Sequence, residues 1–210
     1  MELMEAIRKR RSIRKFKEDK IPKEDIYEII EAATLAPSAH NRQMWHFIAV
    51  SNEAILKKMG EAVVNEIEEV SSWPELDEGM RIKVRGMKAY STFFVKAPLV
   101  FVVLVKPYHS MVDELSKLKG GSKGEIEFWH PRLEIQSVAA AVENMLLAAA
   151  DKGYGACWMG GPLIAASALK EILKIEDPWQ LMALVPLGIP DQEARPKVTK
   201  KVEEVLEFRE

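Results

Sequence analysis

The chain has 210 residues, 48% of them hydrophobic and 30% charged, and its 30 basic and 32 acidic side chains leave a formal net charge of -2. That size and balance suit one α/β or α+β domain and argue against nucleic acid as a partner, because no global positive charge is present. A single cysteine, Cys157, excludes an intrachain disulfide and makes a Cys-based zinc site implausible. No continuous apolar run reaches the length of a membrane span, and the charged, amphipathic N-terminus has no signal-peptide core, so the expectation is a cytoplasmic protein with no membrane partner.

In chain order, residues 2–9 predict a short helix. Pro22 and the acids after it open a second helix, whose stripe of Ile26, Ile29, Ile30 and Ala33 runs until Pro37 stops it. Residues 36–44 form a polar loop, and residues 45–50 form a strand by their aromatic and β-branched content. Asn52 is placed to cap a helix reaching about Val70, with Ile55, Met59, Val63 and Ile67 on one face. A break at Trp73-Pro74 precedes a further helix over 79–95. Residues 99–105, LVFVVLV, predict a strand covered on both faces. Residues 107–131 are a long irregular segment with Gly120, Gly121 and Gly124, the kind of insertion that often serves as a lid. Residues 132–152 are the most apolar helix. A turn at 153–155 leads to a short strand at 156–159, a helix at 163–173 and a last strand at 180–187. A Pro- and Lys-rich tail and a short helical pattern finish the chain. No repeat or linker divides it, so a single domain is expected over 1–210.

Four segments carry chemistry. Between Arg8 and Lys17 there are seven basic residues and no acid. Arg10, Arg11 and Arg14 around Ser12 suit a phosphate monoester, because guanidinium groups offer planar forks of donors and serine adds a short hydrogen bond. The alternative is a solvated basic face. The second segment, residues 37–45, concentrates Ser38, His40, Asn41, Arg42 and Gln43, and amides can read the edge of a heteroaromatic ring; the alternative is ordinary turn chemistry. The third is Gly153 to Pro162, where glycines between a strand and a helix let backbone N–H groups approach a flat ligand. It does not fit G-x-G-x-x-G, so it is no dinucleotide fingerprint. The fourth, residues 195–201, has four basic residues and no acid. The scattered His40, His46, His109 and His130 give no metal pattern.

Together these segments resemble the FMN-dependent nitroreductase family over nearly the whole chain. Arg10-Arg11-Ser12-Ile13-Arg14-Lys15-Phe16 is similar to its N-terminal phosphate motif. Residues 36–47 are similar to its Pro-Ser-x-x-Asn-x-Gln-Pro-Trp-x-Phe loop, with Met44 in place of proline. Residues 144–150 and 153–161 resemble its central helix and glycine segment, and Leu187-Gly188-Ile189-Pro190 with the basic tail resembles its C-terminal signature. Residues 107–131 match no family pattern.

The resemblance implies an α+β sandwich with a central, mostly antiparallel sheet flanked by helices. It implies an intertwined homodimer with two FMN molecules at the interface. Arg10, Ser12 and Arg14 are then expected to hold the phosphate, with Lys197 or Lys200 closing from the tail, and Arg11 to reach the pyrimidine side instead. Pro37, Ser38, Ala39 and Asn41 of the partner subunit are expected against the isoalloxazine. Gln43 is a candidate for its polar edge. Backbone N–H groups of Met159, Gly160 and Gly161 are expected near N5, where a donor tunes the potential. NADH or NADPH is the implied co-substrate and a small electron-poor acceptor, a nitroaromatic or quinone, the implied oxidant, in a ping-pong sequence. The flavin carries that chemistry, so no catalytic side chain and no metal is expected. The alternatives are another reaction of the same scaffold, such as dehalogenation, enone reduction or oxidative breakdown of flavin, a flavin-binding sensor or carrier without turnover, or an interaction protein with a basic patch.

Overall fold

The computed structural model describes residues 2–108 and 132–210, with positions 111, 114, 115 and 118 between them. The expected lid over 107–131 therefore lies largely outside the described residues.

Strand β2 (Leu99–Val105) is buried along its whole length because helices cover both of its faces. It pairs antiparallel with β1 (Trp45–Val50) on one side and with β4 (Gln180–Gly188) on the other, and β3 (Gly155–Ala156) adds to β4 in the order β1-β2-β4-β3. The twofold side-chain alternation of a strand divides β2 between two cores. Phe101, Val103 and Val105 pack with Ile29 and Ala33 of α2 (Lys23–Thr34) and with Val138, Val142 and Met145 of α5 (Leu133–Asp151). Val100, Val102 and Leu104 pack with Leu56, Met59, Val63 and Ile67 of α3 (Glu53–Ser71) and Leu169 of α6 (Ala166–Leu173).

Helix α1 is Leu3–Lys9. Asn52 caps α3 as the sequence predicts, its side chain accepting from the Ile55 N–H at 3.1 Å. The helix expected over 79–95 divides into α4 (Glu78–Thr92) and a 3-10 turn (Phe93–Lys96). Asp77 sets its start by accepting from the Met80 N–H at 2.7 Å. The helix expected at 163 opens instead as a 3-10 turn over Gly161–Ala165, with Pro162 in the first turn where its missing N–H costs nothing. The strand expected at 156–159 is shorter. Past β3, the N–H of Met159 still reaches the Leu184 carbonyl at 2.9 Å, but Trp158 turns out toward solvent.

Helix α5 is long and apolar enough to cross a membrane by length and composition. One face of it nonetheless packs in the first core. Val138, Ala141, Val142, Met145 and Ala149 have no exposed surface, and Asn144 donates to the Ala32 carbonyl of α2 at 3.1 Å.

A polar clamp joins α2 to the turn after α5. Lys152 donates to Asp25 at 2.7 Å and to Glu28 at 2.6 Å, and the Tyr154 hydroxyl donates to Asp25. The hydrogen bonds from Lys152 and then Tyr154 hold the Asp25 carboxyl below the usual carboxylate range. Burial, followed by the bond to Asp25, pushes Tyr154 up to about 12. A depressed carboxyl contributes stability that is present above its unfolded pKa, about 4, and lost as pH falls through its folded pKa. A raised phenol contributes below about pH 10 and loses that contribution as pH rises through its folded pKa. Melting temperatures recorded across the acid range should therefore fall less steeply for Asp25→Asn than for the natural sequence. Parallel acid limbs would remove the clamp from the stability account.

Candidate functional site

The basic segment after α1 is an extended arm stitched to the sheet edge and the tail. Ile13 donates its N–H to Ala156 at 3.0 Å, beside a parallel bridge from Ser12 to Ala156. Lys17 donates to Ile189 at 2.9 Å, and Asp191 donates back to Lys15 at 3.0 Å. Gln192 is the pin, because its side-chain carbonyl accepts from both the Arg14 and the Lys15 N–H, each at 3.0 Å. Ile13 points into the second core, and its immediate neighbours Ser12 and Arg14 turn the other way, into the cleft.

That geometry builds a cleft of about 220 Å³ lined by Arg10, Arg11, Ser12, Arg14, Arg195, Pro196 and Lys197. The arm and the tail thus meet around one cationic hollow. Of the two tail lysines considered, Lys197 lines it and Lys200 does not. Arg195, not singled out individually by the sequence, faces the same space. Its basic run was the available signal.

The cations of the arm are not equivalent. Arg10 has a counterion, its Nε lying 3.3 Å from Glu143. Arg11 donates through Nη1 to the carbonyls of Arg8 and Arg10, so this group is turned onto its own backbone. Arg14 donates through Nη2 to the Tyr90 hydroxyl at 3.2 Å, and its Nε is buried with no hydrogen-bond partner among the described residues. An orphaned charged donor beside four more cationic side chains and a serine hydroxyl is the donor set a phosphate monoester needs. Cys157 lies behind the arm, where burial pushes its thiol up against the opposing pull of Arg14, Ser12 and Arg10. It is a neutral core residue.

The loop of Pro37, Ser38, Ala39, Asn41 and Gln43 lies apart from this cleft. His40, Asn41 and Gln43 all have left-handed backbones, with φ of 50°, 52° and 48°. Three non-glycine residues in that region within four positions store strain, which the surroundings must hold. The Ser137 hydroxyl accepts from the Ala39 N–H at 3.1 Å, Ser38 Oγ accepts from the Gln43 N–H at 3.1 Å, and the Gln43 amide donates to Asn41 at 3.2 Å. The Tyr108 ring stacks on His40, with centroids 6.1 Å apart. The loop is therefore a preformed, mostly exposed platform against the first turns of α5.

In the glycine segment, the N–H of Met159 is committed to Leu184, which narrows the expected backbone donors to Gly160 and Gly161. A Cβ at Gly160 would meet nothing within 4 Å, so that main chain is open to a ligand. A Cβ at Gly161 would come within 2.6 Å of the Ser91 hydroxyl, so this glycine lets α4 close on the segment. Among the described residues, no cluster of His, Cys, Asp and Glu could hold a metal ion.

An antiparallel sheet between two helical layers, with a cationic cleft built from both ends of the chain, defines a scaffold for a phosphorylated organic cofactor. The chain belongs to the Nitroreductase family, whose model matches residues 7–189. It is 31% identical to a BluB-like flavoprotein from Clostridium difficile 630, with a TM-score of 0.92 over 100% of both chains. It is 33% identical over 194 residues to an Archaeoglobus fulgidus protein named "Putative NADH dehydrogenase/NAD(P)H nitroreductase", covering 91% of this chain and 87% of that one. A nitroreductase with bound FMN from Desulfitobacterium hafniense DCB-2 shares the fold at 21% identity, with a TM-score of 0.72 and complete coverage of both chains.

Proposed function

We propose that this protein is an FMN-dependent oxidoreductase that uses NADH or NADPH to reduce small electron-poor acceptors, nitroaromatics or quinones, in a ping-pong sequence. The observation that carries the reading is the cleft in which Arg10, Ser12, Arg14 and Lys197 converge from opposite ends of the chain. Family membership and the nicotinamide- and FMN-related names of the relatives support it. When bound, FMN supplies the two-electron exchange between nicotinamide and acceptor.

The residues of this chain bind and orient. Arg14 and Ser12 hold the phosphate, with Arg10 and Lys197 beside them. Gly160 and Gly161 bring main-chain donors close to a flat ring without a side chain in the way. The 37–43 platform does not line its own cleft, which supports its being offered to a second copy of the chain in a homodimer. The tail supports the same assembly. Val198 and Phe208 are 95% and 81% exposed, apolar surface that a partner would cover.

The test is an anaerobic absorbance spectrum of the purified protein before and after adding each nicotinamide, with its mass in solution measured alongside. Flavin bands that bleach, followed by recovery on adding a quinone or nitroaromatic, are the expected result for a dimer. Bands that never bleach would favour a carrier. A colourless protein that takes up no added FMN would overturn the reading. Halogenated aromatics in the same acceptor series separate dehalogenation from quinone or nitro reduction.

A further inference from the structure

The last turn of α4 carries an arrangement that the cofactor contacts above do not use. Tyr90 receives the Arg14 Nη2–H at its hydroxyl, 3.2 Å away, and the Arg14 guanidinium carbon lies 5.2 Å from the centre of the same ring. The ring is braced in turn by Phe93, with centroids 6.5 Å apart at an interplanar angle of 72°. The helix end that bears it cannot drift, because Ser91 has no exposed surface and is seated against Gly161.

We propose that Tyr90 is a positioning residue that orients Arg14 toward the phosphate without neutralising it. The inference rests on the FMN reading of the cleft. Its physical basis is the contrast with Arg10, whose partner Glu143 is a carboxylate. A carboxylate fixes a guanidinium and also cancels its field, whereas a phenol fixes it through one hydrogen bond and the negative face of the ring and leaves the charge whole. An arginine side chain has much rotamer freedom to lose on gripping an anion, and restricting it beforehand lowers that cost at binding. The main chain of Arg14 is already held by Gln192, so Tyr90 completes the fixation at the other end of the side chain. Because Tyr90 acts through Arg14, its effect must be confined to ligands that carry a phosphate.

The experiment compares dissociation constants for FMN and riboflavin by flavin-fluorescence titration in the natural protein, Tyr90→Phe, Tyr90→Ala, Arg14→Ala and the Arg14→Ala/Tyr90→Ala double variant. Tyr90→Ala should weaken FMN about tenfold and Tyr90→Phe, which keeps the ring face, about threefold, with riboflavin unchanged in both. The double variant should bind FMN no worse than Arg14→Ala alone, since the tyrosine then has nothing to orient. Unchanged FMN binding in both tyrosine variants, equal losses for riboflavin and FMN, or losses that add in the double variant would each overturn the proposal. Tyr90→Phe keeps the test valid if the alanine variant folds poorly. A natural protein that binds neither flavin defeats the cofactor reading itself, a result distinct from failure of Tyr90 alone.

Discussion

Arg14→Ala should raise the FMN dissociation constant by about 1.5–3 kcal/mol in free-energy terms, on the order of tenfold to a hundredfold. The three arginines of the arm predict different losses because their surroundings differ. Arg11 already donates to two backbone carbonyls, and Arg10 shares its charge with Glu143. Among the described residues, the Arg14 side chain has a neutral phenol as its partner and keeps a buried Nε unused. Its loss removes the least compensated donor, so Arg14→Ala should cost more than Arg10→Ala, and Arg11→Ala should cost the least. Fluorescence titration of the three variants ranks them directly. An equal FMN affinity for Arg14→Ala and the natural protein would remove the phosphate from this cleft.

Gly155→Ala should destabilise the fold and loosen cofactor binding together. A methyl group there would lie 2.7 Å from Cβ, Cγ1 and Cγ2 of Ile13. Ile13 is β-branched and buried, and its clashing atoms include the Cβ next to the backbone, so the arm itself has to move. Overpacking of this kind costs about 1–3 kcal/mol, roughly 2–10 °C in melting temperature for a chain of this size. Moving the arm also breaks the Ile13 to Ala156 hydrogen bond that sets the height of Ser12 and Arg14. Gly160→Ala is the control for stability, because open space surrounds its Cβ position. A Gly155→Ala protein that melts with the natural one and retains FMN would show that the arm does not depend on this close approach.

Much of this architecture was legible residue by residue. The unbroken apolar run of β2 reads as a strand covered on both faces because all seven of its residues are buried. Asn52 reads as a cap because capping is local chemistry. The basic arm, the amide loop and the glycine segment are visible because each packs unusual residue types into a short span. The relations between distant segments were not legible. Gln192 meets Arg14 across 178 positions, and nothing local distinguishes it from other surface glutamines. Arg195 lines the cleft, and Tyr90 meets Arg14 beside it, for the same long-range reason. The choice of Lys197 over Lys200 depends on where the tail bends, and proline-rich irregular chain carries no periodicity from which to read a bend. The left-handed backbones of His40, Asn41 and Gln43 escaped too, because asparagine and histidine are merely enriched in that region and glutamine gives no signal for it.

The arm has a consequence for the lifetime of the protein. Main-chain bonds from Lys17 to Ile189 and from Asp191 to Lys15, with the Gln192 pin, hold the arm to the segment that follows β4. On the proposed reading, a ligand held by Arg14 on one side and Lys197 on the other is a further clasp between the arm and the tail. Ligand binding to the folded state alone adds stability that grows with the logarithm of free ligand concentration. Exposed, irregular segments such as this tail are where proteases begin. Empty chains would then be cleared first, and the flavin supply of the cell would regulate how much of this protein it keeps.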